Sequence, residues 1–277
     1  MTNSNAIQRQ TLAFIGGGNM ASAIVGGLLR EGLPAGQIEV VEPFAEARAR
    51  LQSQFGVTAQ EHAGPALARA QLVVWAVKPQ TFKEAALQAR AHTAGALHLS
   101  VAAGIRSDSI ASWLGTQRVV RSMPNTPALV GKGMTALFAR AAVTTDERRM
   151  VERVIATTGE SLWVDEEQQL DAVTALSGSG PAYVFFFLEA MTQAGVEMGL
   201  SAQQARRLAI GTFAGASALA GATDDPLDLL RQRVTSKGGT TYAAITSMEQ
   251  DQVQARFIKA MHAACRRATE LGDEFGA

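Results

Sequence analysis

Short apolar runs recur through the first half of the chain and then stop. No other property of the sequence narrows the possible architecture as much. Residues 12–15 (LAFI), 38–41 (IEVV), 72–77 (LVVWAV), 96–102 (ALHLSVA) and 118–123 (RVVRSM) read as strands, and 134–139 and 161–164 are candidates to extend the set. Helical spacing follows in 19–32 and in 44–56, where Gly56 ends the pattern, and 109–115 reads as a short helix. Apolar strands alternating with helices predict a doubly wound, mostly parallel sheet. Right-handed crossovers put the strand C-terminal ends on one rim, and ligands bind there where the strand order reverses.

From about Glu166 the chain reads as helix after helix. Pro181, a favoured first helical residue, opens 181–199, with Ser179 as its cap, and Ser201 caps 201–221, rich in Ala and Gly. Residues 225–234 follow, then a glycine interruption, then one long final helix. The expected fold class is therefore α/β, with a Rossmann-type domain over 1–165 and an all-α domain over 166–277. Small residues on the later helices allow close packing against another chain; a monomer that covers its own core is the alternative.

Composition excludes several classes. Lys and Arg total 25, as do Asp and Glu, so net charge offers no attraction to nucleic acid or an anionic membrane. The longest apolar run, 182–188, falls far short of the roughly 18–20 residues of a membrane span. The first eleven residues lack a secretory pattern. A single cysteine, Cys265, reads as a packed thiol in a helix. A cytoplasmic protein is the expectation. The four histidines, His62, His92, His98 and His262, have no metal-ligand spacing, so no metal is expected and none is assigned to catalysis.

After the first strand stands GGGNMA, a GxGxxA pattern. Gly16 allows a tight turn, Gly18 lets a pyrophosphate approach the backbone, and Ala21 permits helix–strand packing. Gly17, Asn19 and Met20 complete the turn, and the helix start offers free N–H groups to phosphates. Glu42 ends the second strand, where an acid would bond a ribose 2′-hydroxyl and favour NAD over NADP; an exposed turn is the alternative. Arg48 and Arg50 on the next helix could still neutralise a phosphate. Ala76, Val77, Lys78 and Pro79 end the third strand, and Ala102, Ala103 and Gly104 end the fourth with small residues suited to a flat nicotinamide. Asn125 and Thr126, in MPNTPA, end the fifth strand on the same rim.

In order, FIGGGNMASAIVGGL, AVKPQ, SVAAGI, RSMPNTPALVGKG, DAVTALSGSGPAYVF and RVTSKGGTT run through almost the whole chain. This series resembles pyrroline-5-carboxylate reductase. The resemblance implies reduction of the cyclic imine Δ1-pyrroline-5-carboxylate to L-proline, the last step of proline biosynthesis, with NADPH or NADH. It also implies a helical domain that interlocks two chains, and assembly as a homodimer or a larger oligomer such as a decamer. Two positions depart from the family pattern. Glu42 stands where small hydroxyl or basic residues are common, which makes NADH plausible. Lys237 replaces a proline in the substrate loop.

The substrate that the resemblance implies is an anion with a ring nitrogen. Ser179 and Gly180 are expected on one side of it. Gly238, Gly239 and Thr240, a diglycine before a helix start, are read as an anion clamp built from bare backbone N–H groups. The resemblance gives Thr241 the catalytic position, as a hydroxyl donor to the nitrogen. A hydroxyacid dehydrogenase is a weaker alternative, because the helix after SGSGPAY offers no lysine before Gly199. A dinucleotide-sensing protein would not need SGSGPAY or VTSKGGTT.

Overall fold

The computed structural model describes residues 10–276. Most of the N-terminal stretch read for a secretory pattern lies outside the described residues. Internal packing divides the chain into two compact units. One is the chain up to Ser179 together with the stretch from Ala264 onward; the other is Gly180–Ala263.

The first unit is built on an eight-stranded sheet. Its strands are β1 (Leu12–Ile15), β2 (Ile38–Val41), β3 (Ala59–Gln60), β4 (Leu72–Trp75), β5 (Leu97–Ser100), β6 (Val119–Met123), β7 (Gly133–Ala139) and β8 (Gly159–Trp163). They lie in the order β3-β2-β1-β4-β5-β6-β7-β8. Every pairing is parallel except β6 with β7. The order reverses between β1 and β4, the switch point of a doubly wound sheet.

Alternate side chains of each central strand enter opposite cores. Leu12, Phe14, Val74 and Leu99 pack under α1 (Asn19–Arg30), joined by Leu51 of α2 (Ala45–Phe55). Ala13, Ile15, Val73 and Trp75 pack under α3 (Pro79–Thr93) and α4 (Ser107–Leu114), through Phe82, Ala86, Ile110 and Trp113. Burial on both faces is why these strands read as unbroken apolar runs. α5 (Thr145–Ala156) starts at a capping box between Thr144 and Glu147 and adds Val151 and Val154 to the first core. α6 (Gln169–Val173) then passes directly into a π-helical turn, Thr174–Gly178.

The second unit is wholly helical among its described residues: α7 (Gly180–Glu197), α8 (Ala202–Gly221), α9 (Leu227–Arg233), α10 (Thr240–Gln250) and the first part of α11 (Val253–Phe275). Ser201 caps α8 in a reciprocal box with Gln204. At Gly195 a Cβ would stand 2.8 Å from that of Ala205, so α7 and α8 touch where both residues are small. The single long final helix expected from the sequence is corrected. It is two helices, α10 and α11, separated at Gln252, whose φ of 56° breaks the helical path.

Candidate active site

The rim at the ends of β1, β2 and β4 is assembled by backbone bonds. Gly16 donates to the Val41 carbonyl at 2.8 Å, and Ala76 donates to that of Ile15 at 2.8 Å. Gly16 has φ +98°, and a Cβ there would lie 2.5 Å from the Ala76 oxygen. Its glycine is thus fixed by the protein's own geometry. Gly18 differs. It has ordinary φ, −73°, and no atom stands within 4 Å of where its Cβ would be. The space above it is open toward the start of α1. That helix end has no side-chain cap and no acidic residue in its first turn. Uncapped N–H groups, a positive helix end and an open glycine are what a pyrophosphate requires, so these residues fit a dinucleotide. Asn19 is exposed there, Met20 is half-buried against the core, and Ala21 is fully buried.

Glu42 is not an exposed turn residue. It is 6% exposed. Its Oε2 accepts the Gly17 N–H at 2.7 Å, and its Oε1 accepts the Phe44 N–H at 2.9 Å. A carboxylate at the end of β2 is thereby tied into the glycine turn. Arg48 is committed to protein acceptors, the carbonyls of Glu42 and Pro43 and the Glu61 carboxylate. Arg50 is exposed and reaches the Gly17 carbonyl at 3.5 Å.

Farther along the rim, Ala76 and Val77 are half-buried, Lys78 is exposed at the N-cap of α3, and Pro79 opens that helix. After β5, Ala102 is buried and Ala103 is half-buried. Gly104 has φ +73°, and a Cβ there would meet Leu271 at 3.1 Å, so helix packing alone also accounts for this glycine.

The MPNTPA and SGSG motifs meet within the first unit. The Asn125 amide donates to the carbonyl and hydroxyl of Ser177 at 3.3 and 3.2 Å, while its oxygen accepts the Met134 N–H at 2.9 Å. A Cβ on Gly178 would lie 2.3 Å from Met123 Cε. Asn125 therefore clamps the π-helical turn to β7, with its amide already bonded to protein. Ser179 does not cap the next helix. Its backbone is right-handed helical, and its N–H donates to the Thr174 carbonyl at 2.8 Å, five residues back. π-Helical turns are frequent at functional sites.

Sequence reasoning missed the charged network beneath this turn. Arg106 forms two bonds to Asp171, at 3.0 and 2.9 Å, and Thr269 adds a third at 3.1 Å. Glu167 accepts from buried Arg121 at 2.6 Å and from the Ser107 N–H and hydroxyl at 2.6 Å each. Bonding to Asp171 raises the Arg106 pKa; burial lowers that of Arg121, against the pull of Glu167. An arginine inside an apolar strand, VVRSM, was the available signal.

In the second unit, Gly238 has φ +78°, in the left-handed region. A Cβ at Gly239 would stand 2.8 Å from Ser236 Oγ and 3.1 Å from its carbonyl oxygen. The Gly239 N–H donates to that carbonyl at 3.0 Å, so it is not bare as expected. The first main-chain bond back into the helix start runs from Ala243 to Gly239, leaving the amides of Thr240, Thr241 and Tyr242 as the offered donors. No described side chain caps this end. Thr240 and Lys237 are exposed and Thr241 is half-buried; Gly180 is half-buried with open space around it.

Among the described residues no group of three or more His, Cys, Asp or Glu could hold a metal. His98 is buried on β5, where its Nδ1 accepts from Trp75 Nε1 at 3.1 Å, and burial lowers its pKa to about 4. No described helix is long and apolar enough to cross a membrane.

Residues 167–271 match the family model for pyrroline-5-carboxylate reductase dimerisation, and residues 11–104 match a model for coenzyme F420-dependent NADP oxidoreductases. The pyrroline-5-carboxylate reductase of Pseudomonas aeruginosa is 44% identical over 268 residues, covering 96% of this chain and 98% of that one. The pyrroline-5-carboxylate reductase structure from Coxiella burnetii aligns with a TM-score of 0.88 at 37% identity, covering 95% of this chain and 98% of that one. The Plasmodium falciparum pyrroline carboxylate reductase, solved with NADP bound, aligns with a TM-score of 0.86 at 26% identity, covering 96% and 100%. A relative so similar across nearly its whole length leaves no gap in the assignment: the chain belongs to the pyrroline-5-carboxylate reductase family.

Proposed function

We propose that this protein reduces Δ1-pyrroline-5-carboxylate to L-proline in proline biosynthesis, using NADPH or NADH. The observation that carries the reading is the open, uncapped start of α1 beside Gly18 at the switch point of the sheet. A reduced nicotinamide, when bound, supplies the hydride that the imine carbon accepts. Gly18, with Asn19 and Met20 at the helix start, receives the pyrophosphate on a turn shaped by Gly16 and Gly17, and Glu42 faces the ribose. Residues 76–79, 102–104 and Asn125 border the rest of the rim; Asn125 acts by holding the π-helical turn in place.

The helix start at Thr240 is the anion clamp. The amides of Thr240, Thr241 and Tyr242 point along the axis of α10 at its positive end, and Gly238 and Gly239 shape the turn that leaves them open. Ser179 and Gly180 border the substrate. The Thr241 hydroxyl positions the ring nitrogen, which takes up or already carries a proton as the carbon becomes saturated. A threonine hydroxyl is a poor acid, so catalysis rests on proximity and electrostatic fit. The nucleotide-binding part is 1–165 and the substrate and dimerisation part is 166–277. The protein works in the cytoplasm as a homodimer or as an assembly of dimers such as a decamer, and its partner molecules are small imino acids rather than nucleic acid.

Steady-state assays with pyrroline-5-carboxylate test this. The Gly239→Val variant should raise the KM for the imine at least tenfold, or roughly 1.4 kcal/mol, and leave cofactor KM unchanged. An unchanged imine KM in folded protein removes the clamp. No imine turnover by the wild-type chain removes the activity.

A further inference from the structure

The turn that follows β2 carries information about which dinucleotide is read. We propose that residues 42–44 are built to hold an adenosine whose ribose bears no 2′-phosphate, so that this chain binds NADH more tightly than NADPH. The proposal rests on the dinucleotide reading given above.

Glu42 holds a fixed negative charge where the second ribose hydroxyl of such a ligand lies, at the end of the strand beside the glycine turn. It is fixed because both oxygens already accept backbone N–H groups, from Gly17 and Phe44. The side chain is also buried against the glycine turn. A Cβ on Gly17 would stand 3.3 Å from Glu42 Oε2 and 2.7 Å from Leu51. Each carboxylate oxygen can accept a second bond, so a ribose hydroxyl can still be received. A phosphate would meet a like charge that cannot withdraw.

The neighbouring cations do not cancel this. Arg48 would have to abandon the Glu42 and Pro43 carbonyls and Glu61. Arg50 holds the Gly17 carbonyl at 3.5 Å and is the cation best placed to oppose the proposal. Phe44 supplies the other half of the reader. It is 73% exposed at the rim, although its N–H is held by Glu42. A large apolar ring in that position gives the adenine a face to stack on.

Calorimetric titration of the purified protein with NADH, NADPH and reduced nicotinamide mononucleotide tests both halves without turnover. NADH should bind at least tenfold more tightly than NADPH. Glu42→Ser should reduce that ratio toward one, and Glu42→Gln, which keeps one of the two acceptors of the turn, should reduce it with a smaller fall in melting temperature than Glu42→Ser. Phe44→Ala should weaken NADH roughly tenfold and leave the mononucleotide, which has no adenine, unchanged. Equal or tighter binding of NADPH to the wild-type protein overturns the proposal. Failure to bind either dinucleotide overturns the nucleotide reading itself; imine reduction with NADPH preferred leaves that reading intact and overturns only this inference.

Discussion

Two glycines separated by one residue do different work. Gly16 is required by the fold, with φ +98° and the Ala76 oxygen where a Cβ would sit. Gly18 is not, since nothing of the protein fills the space beside it. Gly16→Ala should cost about 2 kcal/mol or more of stability. Gly18→Ala should cost under about 1 kcal/mol yet weaken dinucleotide binding. Thermal melts beside ligand titrations separate the two. Position in the strand–turn–helix pattern made both glycines legible, but the pattern could not say which one served the ligand. Glu42 was legible as an acid at a strand end. Its bonds to Gly17 and Phe44 were not, because they join residues by geometry rather than by spacing. His98 makes a different prediction. It is neutral and buried, with pKa about 4 against about 6.5 when unfolded. Its contribution is complete above pH 6.5 and is lost as pH falls toward 4, because the unfolded chain takes up the proton first. The loss should be about 3 kcal/mol. Urea midpoints measured from pH 7 to 4 should fall accordingly, and less steeply for His98→Gln.

At the scale of elements, the strands with unbroken apolar runs were readable, whereas β3, two residues long, carries no such signal. α5 was missed although Thr144 and Glu147 stand at capping-box spacing. The division of the last helical stretch at Gln252 was unreadable because no glycine or proline marks it. The π-helical turn was read only as a glycine-rich cap, since sequence spacing does not distinguish a five-residue step from a helix start. Its position depends on long-range charge pairs. Asp171→Ala should leave Arg106 without its two-bond partner and cost about 2 kcal/mol. Hydrogen exchange should quicken in 174–179 more than in β1 or β4; equal protection in mutant and wild type would show that the turn holds itself.

At the scale of the molecule, the second unit exposes a set of large apolar side chains. Phe185, Phe186, Met198, Leu208 and Leu219 are all exposed within the region matched by the dimerisation model. Large exposed apolar sets of this kind mark association surfaces, and the match to the dimerisation model is what makes this chain a homo-oligomer. Phe186→Asp with Leu208→Asp should lower the mass measured by light scattering; an unchanged mass would place the contact elsewhere. The last turns of α11 pack with the first unit. Leu271 lies on Gly104, Gly272 leaves room for the Arg106 guanidinium, and Ser109 bonds the Gly276 carbonyl at 2.6 Å. The first unit is therefore closed by residues from Ala264 onward as well as by those up to Ser179. Synthesis must run past Gly272 before that unit can close, and a fragment stopped at 179 would lack its final seam.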